Sequence, residues 1–182
     1  YQNRPLLFDL NIKLPELLYE RVVEVAERLD SKGNIIKNVN EEKVRLSLKK
    51  AKLDGINSLA IAFMHSYINP DHENKIANIA FEEGFDQISV SHKVSPLIKL
   101  VGRGDTTIVD AYLSPILRRY VNQVSEELKE TKSTKLMFMQ SNGGLTDAKF
   151  FQGKDALLSG PAGGVVSMVQ TGKQAGYNKL IG

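Results

Sequence analysis

The chain has 182 residues, with 24 lysines and arginines against 21 aspartates and glutamates and a formal charge of +3. Hydrophobic residues make up 42% and charged residues 25%, which excludes a disordered chain and supplies a core for one domain or two small ones. The absence of cysteine excludes disulfide scaffolds, thiol nucleophiles, iron–sulfur clusters and cysteine zinc sites, and it fits a reducing compartment. The pI near 9.0 comes from scattered lysine, not from a basic block, so no nucleic-acid partner is expected. No run approaches the ~18 apolar residues of a membrane span, and the start lacks a signal-peptide pattern, so a cytoplasmic protein is expected. Tyr1–Pro5 holds no initiator Met, and Asn178–Gly182 has the pattern of a strand just begun. The chain is therefore expected to be a piece of something longer.

In chain order, residues 18–39 have the pattern of a β-hairpin, with Asp30-Ser31-Lys32-Gly33 as the turn before Ile35-Ile36, although 16–29 also suits a helix. Asn40 caps a helix with Glu41 and Glu42 in its first turn, Val44, Leu48 and Ala51 on one face, and Gly55 at its end. Ser58–Met64 is an apolar run of strand length. Asn69 as N-cap and Pro70 at the first position open a helix that runs to about Glu83 and ends at Gly84. Gln87–Ser91 is the next strand, which completes a βαβ unit.

The longest helix is expected from Asp105 or Thr106 to about Glu130, with Arg103-Gly104-Asp105 as a charged loop and cap. Its apolar stripe is Val109, Tyr112, Ile116, Tyr120, Val124 and Leu128, and Pro115 should kink it. Leu136–Gln140 has the character of a buried parallel strand that leads into Ser141-Asn142-Gly143-Gly144. Then Ser159-Gly160-Pro161-Ala162-Gly163-Gly164 leads into a helix that stops near Gly176. A division near Gly102–Asp105 separates an N-terminal α/β part from a second part built on the long helix.

Two segments have the chemistry of a ligand site. A helix N-terminus attracts anions, and glycines let a ligand approach the backbone, which makes Ser159, Gly160, Gly163 and Gly164 candidate binding residues. The spacing matches neither GxxxxGK[ST] nor GxGxxG, so tight helix packing stays open as the alternative. Ser141, Asn142, Gly143 and Gly144 would stand at the carboxyl end of a strand, where open α/β sheets place ligands; a plain turn is the alternative. The three histidines, His65, His72 and His92, match no metal motif, although the spacing sets His65 and Glu73 within reach of each other across the strand–helix joint. No metal site and no catalytic triad can be assembled from spacing.

Taken together, several segments resemble the hydantoinase A/5-oxoprolinase family, which includes acetone-carboxylase subunits. They are Arg4–Leu10, Glu20–Leu29, Ala62–Glu73 with its HSYxNPxHE string, Thr106–Pro115, Met139–Leu145, and Leu158–Val166 with its LSGPAGGV string. The resemblance implies an α/β fold: part of an actin-like (ribonuclease H-like) ATPase with βαβ units and one long helix. It divides the chain into 1–102, the end of the family's N-terminal region, and 103–182, the start of the hydantoinase A domain.

It also implies ATP and magnesium as cofactors of the parent protein. The activity implied is opening of a cyclic amide (hydantoin, N-methylhydantoin or 5-oxoproline) through a phosphorylated intermediate, with a hydantoinase B-type second subunit or domain. The family's two DxGGTxTD-like phosphate loops would fall outside this chain, so the chain alone is expected to be inactive. Residues 159–176 would be the helix that leads into the second loop. The competing expectations are an acetone-carboxylase-type subunit and a non-catalytic α/β interaction module.

Overall fold

The computed structural model describes residues 8, 10, 11, 16–128 and 135–182. Most of the Arg4–Leu10 segment and the expected end of the long helix at Glu130 lie outside the described residues. In chain order the elements are β1 (Arg28–Leu29), β2 (Ile35–Lys37), α1 (Glu41–Leu53), β3 (Ser58–Ile61), α2 (Asp71–Glu82) and β4 (Gln87–Val90). They continue with α3 (Ser91–Val94), α4 (Leu100–Leu128), β5 (Met137–Met139), β6 (Leu145–Asp147), α5 (Gly153–Ala156) and α6 (Ser159–Gln174). A short 3₁₀ turn, Ala148–Phe150, lies between β6 and α5.

The first hairpin is much shorter than its sequence pattern, and residues 16–27 are neither strand nor helix. Its turn is built by Asp30, whose carboxylate accepts the amides of Lys32 and Asn34 (2.8 Å each) and the Asn34 side chain (2.8 Å). These donors, led by the Asn34 side chain, hold the Asp30 carboxyl below its ordinary value. Gly33 takes φ +84°, and a Cβ there would stand 2.8 Å from Ile68 Cγ2, so the turn sits hard against the loop before α2. Asn69 fixes that contact by donating to the Gly33 carbonyl at 2.9 Å.

The Asn40 side chain accepts from the Lys43 amide at 3.0 Å and caps α1 as expected. Asn69 likewise receives the Asp71 amide at 2.9 Å, although Pro70 occupies the cap position itself and the helix starts one residue later. β3 and β4 pair in parallel register, Ser58 with Gln87 through Ile61 with Val90, with α2 as the crossover. Val44, Leu48 and Ala51 of α1 join Ile61, Ile76, Ile79, Ala80, Phe85 and Val90 in one apolar core. Burial of such side chains is worth about 1.5–3 kcal/mol each, so this layer carries most of the hydrophobic stabilisation.

α4 starts at Leu100, five residues before the expected start, and therefore takes Arg103-Gly104-Asp105 into its first turns instead of leaving it a loop. Pro115 lies inside the helix without dividing it. The expected apolar stripe is not the buried face: Tyr112 and Ile116 are each 49% exposed and Tyr120 57%. The buried face of α4, turned to β3, β4 and α5, is Arg103, Thr107, Asp110, Ala111, Ser114 and Val121. It is buried through hydrogen bonds as much as through apolar contact, which apolar periodicity cannot register.

Candidate functional site

β5 does not enter a parallel sheet. It pairs antiparallel with β6, Met137 opposite Asp147 through Met139 opposite Leu145, so residues 140–144 are a hairpin turn and not a strand's carboxyl end. Gly143 holds φ +81°, Gln140 donates to the Gly144 carbonyl at 2.8 Å, and Gly144 donates to Asn142 Oδ1 at 2.8 Å. The turn is self-contained at Asn142 and Gly144. Ser141 reaches beyond it: its amide and its hydroxyl both donate to the Asp155 carbonyl (2.7 Å each). Ser141 Oγ in turn accepts from the Leu158 amide at 3.0 Å.

The glycine-rich segment lies inside a helix, as the family resemblance implies for residues 159–176 and not as its local chemistry suggests. Residues 159–164 form the first turns of α6 instead of a loop before it. Proline is tolerated in a first turn, where its missing N–H has no intrahelical partner to lose, so Pro161 does not exclude the helix. Ser159 turns its hydroxyl back to the Ala156 carbonyl at 2.8 Å. Gly163 faces the hairpin, where an added Cβ would lie 3.7 Å from Met139 Cγ, and a Cβ on Gly143 would lie 3.3 Å from Val166 Cγ2. These two glycines pack hairpin against helix.

Gly160 and Gly164 stand on open helix surface, where an added Cβ meets nothing within 4 Å. Beside Gly164 runs a shallow apolar groove of about 520 Å³, lined by Pro161, Val165, Met168, Ile181 and Gly182. The structure thus divides the candidates. Ser141, Gly143 and Gly163 hold the local packing, Asn142 and Gly144 shape the turn, and Gly160 and Gly164 leave a smooth open face. Asn178–Gly182, expected to begin a strand, is irregular and lies along α6.

A second polar centre escaped the sequence reading. Glu73 is fully buried at the start of α2. Its Oε1 accepts from the Phe63 amide (2.9 Å) and Ser91 Oγ (2.6 Å), and its Oε2 from the amide of His92 (3.1 Å) and His92 Nδ1 (2.6 Å). The partner of Glu73 is therefore His92, not His65. Arg103 is buried beside it, with Nε donating to Ser91 Oγ (2.9 Å), Nη2 to the Phe63 and Met64 carbonyls, and Nη1 to the Leu97 carbonyl. Burial pushes the guanidinium below its ordinary value, and the neighbouring Glu73 charge opposes that.

Every lobe of the Glu73 carboxylate is occupied by the protein itself, so this centre clamps α4 to the 63–67 loop and holds no free base. His72, also buried, is joined to Glu27 through Nδ1 at 2.7 Å and ties the stretch before β1 to α2. The available signal was the density of His, Asn and Glu in residues 65–73. Among the described residues, no group of three or more His, Asp or Glu side chains is placed to hold a metal ion.

The family model described as "Hydantoinase/oxoprolinase N-terminal region" matches residues 1–84, and that described as "Hydantoinase/oxoprolinase" matches residues 103–182. The chain belongs to the hydantoinase/oxoprolinase family. It is 41% identical over 197 aligned residues to a 5-oxoprolinase of Saccharomyces cerevisiae, an alignment covering 93% of this chain and 15% of that protein.

Among solved structures it resembles nucleotide-free acetone carboxylase, with TM-score 0.75, 26% identity, and coverage of 84% of this chain and 22% of that one. It also resembles the ATP-dependent caprolactamase from Pseudomonas jessenii, with TM-score 0.72, 27% identity, and coverage of 81% of this chain and 22% of that one. These structures share the actin-like ATPase fold, and this family member carries an α/β portion of it. The chain spans 15% of the yeast relative's length. No helix among the described residues is long and apolar enough to cross a membrane.

Proposed function

We propose that this chain is the part of an ATP-dependent cyclic-amide hydrolase in which α6 lines the nucleotide, with 5-oxoproline or a hydantoin as the substrate class. The observation that carries this reading is the open face of α6. Gly160 and Gly164 lie one helical turn apart with no atom over them, beside the groove at Pro161 and Met168. A glycine face of that kind admits a flat, polar ligand at backbone distance, which a Cβ would prevent. The similarity to a 5-oxoprolinase and to an ATP-dependent caprolactamase, both named for opening or acting on ring amides, supports the same class.

On this reading ATP activates the amide. The γ-phosphoryl group passes to the amide oxygen, water attacks the carbon, the ring C–N bond breaks, and a second water releases phosphate. The residues described here fit the lining of a nucleotide but offer no seat for magnesium, so no step is assigned to a metal. The groups that grip the phosphates then belong to the rest of the protein, the division between the two parts falls at residues 102 and 103, and the chain alone has no turnover. A hydantoinase B-type subunit or domain would complete the substrate side, and the enzyme would work in the cytoplasm, where ATP is supplied.

Similarity to acetone carboxylase favours one second reading, a subunit that activates a ketone for carboxylation instead. The full-length protein, assayed with its partner subunit, separates the two. ADP release that depends on 5-oxoproline, hydantoin or caprolactam supports the amidase. ADP release that depends on acetone and bicarbonate supports the carboxylase, and indifference to all of them contradicts both.

A further inference from the structure

The buried polar groups of α4 form two sets that behave differently. The set around Arg103 and Glu73 closes within the N-terminal α/β layer. The set around Asp110 does not. Asp110 is almost fully buried, and its Oδ2 accepts from Ser89 Oγ on β4 at 2.7 Å. Its Oδ1 accepts from Ser114 Oγ and from the amide of Lys154 on α5, each at 3.1 Å. Ser114 Oγ also accepts from the Gly153 amide at 3.0 Å. One carboxylate therefore takes donors from β4, α4 and α5 at once.

Contacts continue on both sides of this carboxylate. Behind Ser89, Gln87 Nε2 donates to Ser89 Oγ at 2.9 Å, and Arg118 donates to Gln87 Oε1 at 2.6 Å. Beyond α5, the Asp155 carbonyl takes both donors of Ser141, and Ser141 takes the amide of Leu158, directly before α6. The joint has little slack. A Cβ on Gly153 would stand 2.8 Å from the Ser114 nitrogen and 3.0 Å from the Asp110 carbonyl, so α5 lies as close to α4 as backbone allows.

We propose that Asp110 is a positioning residue that sets where α5, the β5–β6 hairpin and the first turn of α6 sit against the β3–β4 layer. A buried carboxylate is costly unless donors reach it, and here three donors from three separate elements do so. Moving α5 by an ångström would break the Lys154 bond to Asp110 and the Gly153 bond to Ser114. Sliding is thereby resisted in a way that apolar contact would not resist. Through Ser141 the same constraint reaches Gly160 and Gly164. That last step rests on the proposed nucleotide face of α6.

The test is Asp110→Asn in the full-length enzyme, with hydrogen exchange and ATP kinetics measured on the same sample. Amides in 141–144 and 153–164 should exchange about tenfold faster, while those of β3 and β4 keep their protection. The KM for ATP should rise about tenfold, the equivalent of about 1.4 kcal/mol of binding, with kcat nearly unchanged. A merely structural role would instead reduce kcat through lost active protein and leave KM alone. Faster exchange confined to 141–164 with an unchanged KM upholds the joint and removes the nucleotide face. Unaltered exchange there, or exchange raised equally in β3 and β4, overturns the proposal. Ser89→Ala, which removes a single donor, carries the same criteria at smaller amplitude if the asparagine variant does not fold.

Discussion

The N-terminal α/β layer with α4 and the segment after Lys135 are stabilised by different means. The first buries an apolar cluster from α1, α2, β3 and β4 and closes it with Glu73, Ser91 and Arg103, all without exposed surface. The second has only Gly153 and Gly172 buried among its residues, and it exposes Leu145, Phe150, Leu157, Leu158, Val165 and Ile181. Within it Phe138 stacks on Phe151 at 4.9 Å, and Phe138 also meets Tyr120 of α4 edge-on at 6.4 Å. A layer that satisfies its buried carboxylates and its buried guanidinium, with only His65 Nδ1 and His72 Nε2 unpaired among its described buried side chains, is a scaffold. Both regions expose large apolar side chains, Leu53 and Phe81 in the first as well, so what sets the second apart is how little of it is buried.

The largest effect should come from breaking the scaffold's polar centre. Glu73→Gln removes the charge that faces Arg103 and turns an acceptor into a donor against His92 or Ser91. The stability of the full-length protein should fall by about 3 kcal/mol or more, the range for removing one partner of a buried charge pair. A urea midpoint shifted by less than a surface substitution's effect would show that the clamp is dispensable.

Next in size is Gly153→Ala, where the added Cβ meets the backbone of α4 and not a flexible side chain. Overpacking of this kind should destabilise by about 1–3 kcal/mol, and limited proteolysis should cut after Lys135 before it cuts β3 or β4. Simultaneous cleavage in both regions would erase the contrast between them.

The smallest is Asp30→Asn in the first turn. The folded pKa of Asp30 is lowered, so its turn contributes stability above the ordinary value of 3.8 and loses it as pH falls through the folded value. The asparagine variant should therefore show a shallower acid-side loss in the amide shifts of Lys32 and Asn34. An identical acid titration in both proteins would remove Asp30 from the account.

How much of this was legible in sequence depends on whether a residue's role is local. Asn40 with Glu41, and Asn69 with Pro70, announce α1 and α2 because capping is a contact within a few residues, and Gly55 and Gly84 end those helices with φ +89° and +79°. The βαβ unit follows from them. The buried face of α4 was not legible, because Arg103, Thr107, Asp110 and Ser114 are apolar by no scale and are buried through partners on β4, α5 and the 63–67 loop.

Local chemistry sets the glycine-rich segment before the helix because Gly and Pro are breakers on average, yet a first turn tolerates both, and the family resemblance already implies a helix from Ser159. The strand after the long helix was assigned to a parallel sheet because its partner, Leu145–Asp147, is too short to show a pattern. Motif singles out the candidate residues, but which of the glycines pack against a neighbour and which stay open depends on the fold around them.

The central claim is that Gly160 and Gly164 are open for a ligand and not for packing. The direct measurement is Gly164→Val in the full-length protein, with the ATP KM and the melting temperature taken from the same preparation. A Cβ at this position meets no atom of the chain, so the melting temperature should hold or rise slightly, valine being the better helix former by a few tenths of a kcal/mol. The KM for ATP should rise about tenfold, since about 1.4 kcal/mol of lost binding has that effect. An unchanged KM with a stable variant would leave the glycine face without a nucleotide and contradict the proposed function at its source.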